Sequence, residues 1–215
     1  LHVLRVYRWC LHLATHCEVD LELAGAAALI HDLVQIPKES ADRQIASARS
    51  ATEGAHLLRQ VGYDETACAA IVAAVADSSW SKGHAPTSDL ERVLQDADRL
   101  DAIGALGIAR MFACAQGMAN RSRTKQQGDT ETPPACCQTD GNMANNGASL
   151  YDPADPFAEQ RPLDDVRFAI DHFSRKLLRL ADGMHTELAK REARKRHAFM
   201  KQFLAQLRDE IETGA

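Results

Sequence analysis

The sequence predicts an all-α protein, a helical bundle with one long irregular loop near 120–160. Three observations lead there. Apolar residues recur at helical spacing through most of the chain, no stretch alternates apolar and polar residues at strand length, and breakers such as Pro37 and Gly62 fall between the periodic segments.

The elements follow in order. Residues 4–14 carry apolar positions at helical spacing, with Arg5 and Arg8 on another part of the surface. Residues 21–34 read LELAGAAALIHDLV, nearly all apolar, which predicts a central buried helix ended by Pro37. Residues 42–60 are amphipathic and stop at Gly62, and Asp64 is placed to cap a helix over 65–77. The Ser, Gly and Pro content of 78–87 predicts a loop. A helix follows from near Ser88 to about Gly117. Residues 120–160 hold Gly, Asn, Gln, Thr and Pro with few large apolar side chains, so they bury little. A flexible insertion is expected at about 120–148. Helices resume over 163–182 and 184–212. The length suits a single domain spanning 1–215.

Composition narrows the function classes. A net charge of -5 gives no general attraction to nucleic acid or to an anionic membrane, so neither is expected as a partner. No apolar run approaches the roughly 18 residues of a membrane span. Six scattered cysteines form no CxxC pair or regular framework. They read as reduced thiols of a cytoplasmic protein.

His31 and Asp32 stand side by side in the most apolar segment. A buried aspartate is costly unless it is paired or holds a cation. For this dipeptide alone, a hydrogen-bonded core histidine beside a helix-end aspartate is the favoured reading. Asp96, Asp98 and Asp101 crowd a turn and a half of the helix LQDADRLDAIGALGIARMF, with Asp98 and Asp101 on one face. Close carboxylates repel unless a cation or an arginine intervenes, and Arg99 is placed to neutralise one of them. His2, near the start of the first helix, completes a set of two imidazoles and two carboxylates with His31, Asp32 and Asp98. Such mixed N/O donors suit a divalent transition metal such as Mn, Fe, Ni or Zn; one ion is expected, Mn first, with Mg as a further candidate.

The order His2, His31-Asp32, Asp98 resembles the H…HD…D signature of the HD superfamily. The segments HVLRV, AALIHDL and DADRLDAIGALGIAR resemble its motif contexts, and IPKESADRQIASARSA and YDPADPFAEQR resemble a subfamily of small stand-alone bacterial hydrolases. The resemblance implies an HD-domain helical bundle, His2, His31, Asp32 and Asp98 as metal ligands, and metal-dependent phosphohydrolysis. The implied substrate is a small phosphorylated molecule, a nucleotide above all. Cleavage of nucleoside triphosphates to monophosphate and pyrophosphate, or nucleotide phosphatase activity, is expected, by attack of a metal-activated water. The alternative is a non-catalytic metal- and nucleotide-binding sensor on the same fold. Asp32, Asp98 and Lys38 are the expected catalytic residues. Lys38, Arg43, Arg161, His172 and Lys176 are the expected substrate contacts, each with an ordinary surface charge or helix face as the competing reading. A homodimer is compatible with the sequence. The chain departs from the subfamily at Ser78, where a histidine is common, and this favours one metal over two.

Overall fold

The computed structural model describes the backbone of residues 1–36, 40–127 and 149–214. Among these it describes the side chains of all but 41, 43, 81 and 117–127. Its helices are α1 (His2–His16), α2 (Leu21–Ile30), α3 (Ala46–Gln60), α4 (Glu65–Ala76), α5 (Asp89–Asp101), α6 (Gly104–Gln127), the single turn α7 (Leu178–Leu180) and α8 (Glu187–Thr213). Among the described residues there is no strand, only an isolated bridge between Ser149 and Phe168. The chain divides into two compact units, Leu1–Gly104 with Leu180–Ala215, and Ala105–Arg179.

The first unit is built around α5, which packs on α1, α2, α4 and α8. Its core joins Val6, Cys10 and Leu13 of α1 with Ala24, Ala27 and Ala28 of α2, Ile71 and Val75 of α4, Val93, Leu94, Ala97 and Leu100 of α5, and Ala189, Ala193 and Met200 of α8. The small residues of α2 let it sit close to its neighbours. At Gly54 of α3 a methyl group would lie 2.4 Å from the end of the Ile30 side chain, so a larger residue there would force Ile30 to shift. Ser88 caps α5 by accepting from the Glu91 amide, and the Glu91 carboxylate accepts from the Thr87 amide and hydroxyl. Asp20 and Asp64 cap α2 and α4.

Asp96 is fully buried in the middle of α5 and holds the start of α8. Its two oxygens accept from the His185 amide at 2.9 Å and from the Thr186 amide and hydroxyl at 2.7 and 2.8 Å. Thr186 is the N-cap of α8, so the carboxylate sits where the helix leaves donors unsatisfied. Beside it, the Arg99 guanidinium binds the Gly183 carbonyl, Gln95 Oε1 and His185 Nε2. Arg99 is therefore buried in this network, near the charges of Asp96 and Asp98, rather than at the surface as its sequence position suggested.

Three helix boundaries differ from expectation. The segment 21–34 is helical only to Ile30, because the His31 ring takes the Ala28 carbonyl at 2.7 Å, the acceptor that the Asp32 amide would use in a continued helix. The Val34 amide goes to Ser50 Oγ instead. The segment after Ser88 is two helices, broken at Gly104 with φ 78°, and the second runs to Gln127, into the predicted loop. The rest of the expected insertion, 128–148, lies outside the described residues.

The second unit corrects the third boundary. Residues 163–170 are not helical, and the helix starts only at Asp171: the Ala169 and Ile170 amides donate to the carbonyls of Ser149 and Leu150, while Asp164 accepts from the Val166 and Arg167 amides. A π-helical turn follows at Phe173–Leu177. Ile108, Met111 and Ala115 of α6 and Phe168, Ile170 and Phe173 supply this unit's buried apolar side chains.

Two outcomes are expected. Gly104→Ala places a side chain in the left-handed region and within 3.0 Å of the Arg196 stem. It should cost about 1–3 kcal/mol, read as a thermal midpoint lowered by several degrees. The second concerns His185, whose pKa lies below the ordinary histidine value because burial penalises its charged form, with Asp96 opposing and Arg99 adding to the shift. The unfolded chain therefore binds this proton more readily. The stability from neutral His185 is complete above the unfolded pKa of about 6.5 and is lost as pH falls toward the lower folded value. Thermal melts should show a smaller loss between about pH 7 and pH 5.5 in His185→Gln than in the unmodified protein.

Candidate metal centre

The start of α1 and the end of α5 lie against each other, and each presents a pair of polar side chains three residues apart: His2 and Arg5 on α1, Asp98 and Asp101 on α5. His31, at the C-terminus of α2, brings in a third element. Donor atoms of His2, His31 and Asp98 all lie within 4.8 Å of one another. His2 Nε2 is 3.3 Å from Asp98 Oδ1 and 3.4 Å from His31 Nε2, and His31 Nε2 is 3.9 Å from Asp98 Oδ1. The His31 ring is buried, and Asp98 is the most exposed of the three, its side chain 34% accessible, so the cluster opens toward solvent on its α5 side.

The other ring nitrogens decide what these atoms can do. His31 Nδ1 is 2.7 Å from the Ala28 carbonyl, which only accepts, so Nδ1 carries the proton. His2 Nδ1 is 2.6 Å from Asp101 Oδ2, a carboxylate also held by Arg5 Nε at 2.6 Å and Nη2 at 3.1 Å. That contact raises the Arg5 pKa, through the hydrogen bond first. In the neutral form with the proton on Nδ1, both imidazoles turn a lone-pair Nε2 toward the same point as Asp98 Oδ1. Three lone-pair donors with no proton between them repel, and a cation among them removes the repulsion. The residues fit a divalent metal on this chemistry. Cys10, buried nearby on α1, does not join them: burial pushes its thiol pKa upward, and the charges of Asp98 and Asp96 add to the rise.

Asp32 lies in the turn after α2, half-buried, and outside the group of three. Lys38 falls outside the described residues, as does the Arg43 side chain, although the Arg43 backbone belongs to the 3-10 turn Ala41–Ile45. Arg161, His172 and Lys176 belong to the second unit. There Arg161 grips the buried Asp171 with two nitrogens at 2.5 and 2.9 Å and reaches Asp152 at 3.2 Å, with its guanidinium over the Phe168 ring. Asp155 folds the preceding loop by accepting from the Glu159, Gln160 and Arg161 amides, and these bonds lower its pKa. His172 Nδ1 is 2.8 Å from Asp165 Oδ2, and Lys176 lies in the π-helical turn. The Ser78 hydroxyl donates to the Val75 carbonyl at the end of α4. Sequence reasoning missed Arg5 and gave Asp101 no role. The matching three-residue spacings on α1 and α5 were the available signal.

The HD domain family model matches residues 1–103, which span all three cluster residues. The crystal structure of Bacillus subtilis YpgQ superposes with a TM-score of 0.66 at 30% identity, covering 98% of this chain and 87% of that one. The chain belongs to the HD-domain family. As an HD-domain protein it is also similar to the Bacillus subtilis protein YpgQ in sequence, 29% identical over 214 residues, which are 98% of this chain and 82% of YpgQ. YpgQ has been crystallised in complex with ADP, and that structure matches with a TM-score of 0.64 at 29% identity over 97% of this chain and 84% of that one. An HD-superfamily hydrolase from Bacillus thuringiensis matches with a TM-score of 0.62 at 26% identity, covering 97% of this chain and 84% of its own. No described helix is long and apolar enough to cross a membrane.

A ligand that binds only the folded state raises stability by mass action, about 2.7 kcal/mol at a hundred times its Kd. Mn²⁺ should therefore raise the melting temperature of the unmodified protein. The rise should vanish in His31→Ala and Asp98→Ala, while Mg²⁺ or Ca²⁺, which prefer all-oxygen sites, should give a smaller one.

Proposed function

We propose that this HD-domain protein is a metal-dependent phosphohydrolase acting on nucleotides, with the cleavage of nucleoside triphosphates to monophosphate and pyrophosphate as its reaction. The observation that carries the reading is the convergence of two imidazole nitrogens and a carboxylate oxygen within 4.8 Å of one another. The ADP complex of YpgQ supports a nucleotide as the ligand.

His2, His31 and Asp98 would hold one divalent ion, Mn above the other candidates, and Asp32, next to His31, would be the fourth donor. When bound, the ion supplies Lewis acidity toward a phosphate oxygen and lowers the pKa of a water. The chain's own residues do the rest. Asp98 is the most exposed member of the cluster, and its second oxygen, or Asp32, would accept a proton from the attacking water. Lys38 and Arg43 follow the HD turn directly in sequence, and they supply the positive charge that a polyphosphate needs on a chain with net charge -5. Arg161, His172 and Lys176 remain candidate substrate contacts in the second unit. Arg161 would act there through the loop it braces against Asp171 and Asp152.

The test is a phosphate and pyrophosphate release assay over nucleoside mono-, di- and triphosphates with Mn²⁺, Mg²⁺, Ni²⁺ or Zn²⁺. Pyrophosphate released from triphosphates should appear with the unmodified protein. It should fall at least a hundredfold in Asp32→Ala and Asp98→Ala (about 2.7 kcal/mol of barrier), and Lys38→Ala should weaken turnover more mildly. Stoichiometric metal with no release from any nucleotide would contradict the reading and point to the sensor.

A further inference from the structure

The metal cluster explains His2, His31 and Asp98 but leaves a second aspartate, three residues along α5, buried in the same corner. The Asp101 side chain is 1% exposed. It lies among apolar neighbours, with Leu100 and Ile103 both buried. An ionised carboxylate there is costly unless each oxygen is satisfied. Both are: Oδ1 accepts from Arg5 Nε, and Oδ2 accepts from Arg5 Nη2 and from His2 Nδ1.

Asp98 and Asp101 compete for one proton. His2 has a single N–H when neutral, and a carboxylate faces each ring nitrogen. Asp101 is 2.6 Å from Nδ1, whereas Asp98 is 3.3 Å from Nε2. The shorter contact draws the proton to Nδ1 and leaves Nε2 bare. Without Asp101 the preference reverses. Asp98 Oδ1 at 3.3 Å and His31 Nε2 at 3.4 Å then stand ready to accept on the Nε2 side. A proton there would occupy one donor atom and tie up a second. Arg5 keeps this from happening in another way, since its two-pronged grip fixes the Asp101 carboxylate and its charge.

We infer that Asp101, braced by Arg5, is the positioning residue of this centre: it assigns the His2 proton to Nδ1 and so makes His2 Nε2 and Asp98 available together. The inference rests on the metal-site reading above, and it concerns a residue that touches neither ion nor substrate. A partner to the far nitrogen of a ligating histidine typically changes metal affinity by about 10–100-fold.

The test uses the full chain with Asp101→Ala and the isosteric Asp101→Asn. Arg5 is 28% exposed and can turn to water when its partner is lost, and circular dichroism melts confirm that each variant is folded. Imidazole nitrogen NMR of the metal-free protein, at a pH where histidines are neutral, reads the tautomer, and titration calorimetry with Mn²⁺ reads affinity. The unmodified protein should show His2 protonated at Nδ1. Asp101→Ala should shift His2 toward the Nε2–H form and bind Mn²⁺ at least tenfold more weakly, with Asp101→Asn in between. An unchanged His2 tautomer in Asp101→Ala, or Mn²⁺ affinity within twofold of the unmodified protein, overturns the inference while the metal site stands. Absence of Mn²⁺ binding by the unmodified protein overturns the metal reading itself, and is recognised without any variant.

Discussion

The buried contact between Asp101 on α5 and the His2–Arg5 pair on α1 is the constraint on which the centre depends. It joins two helices remote in sequence, and it does so with charge in an apolar setting. A buried carboxylate tolerates few geometries, because each oxygen must be met. The same interaction that seats α1 against α5 therefore also orients His2. Breaking such a pair by removing one partner typically costs about 3–5 kcal/mol when both ions are buried. Here Arg5 keeps access to water, which lowers that cost and leaves orientation as the larger consequence.

Three aspartates on α5 show how one helix divides labour. Asp96 points at the N-terminus of α8 and satisfies two amides and a hydroxyl. Asp98 points out toward the open side of the cluster, and Asp101 points at α1. Their mutual repulsion is met by three different partners: helix-end amides, a proposed cation and an arginine. The Arg99–His185–Gln95 network then ties the start of α8 back to α5.

The all-helical character was legible because helical spacing recurs through most of the chain and breakers and a cap fall between its segments. Asp64 caps α4 as expected, and Gly62 ends the preceding turn with φ 97°. The boundaries that moved were set by contacts that sequence spacing does not carry. His31 ends α2 through its own ring, and Gly104 breaks a helix whose apolar periodicity continues past it. Residues 163–170 have helical periodicity but are drawn out by pairing with Ser149 and Leu150, more than a dozen positions away. At the centre, the motif order brought forward His2, His31, Asp32 and Asp98, and the structure gathers all of these but Asp32. Arg5 was misplaced because one helix read alone does not show which neighbour its charged stripe meets. The substrate contacts were least legible, since a lysine or arginine reads alike whether it meets phosphate or water.

The central claim is that His2 Nε2, His31 Nε2 and Asp98 share one divalent ion. A crystal structure of the Mn²⁺-loaded protein, with anomalous diffraction to identify the metal, tests it most directly. The account predicts a single anomalous peak bound by these three side chains, with Asp32 as the added ligand and His2 Nδ1 still on Asp101. A fully loaded crystal with manganese elsewhere, or with His2 turned away from the ion, would contradict it.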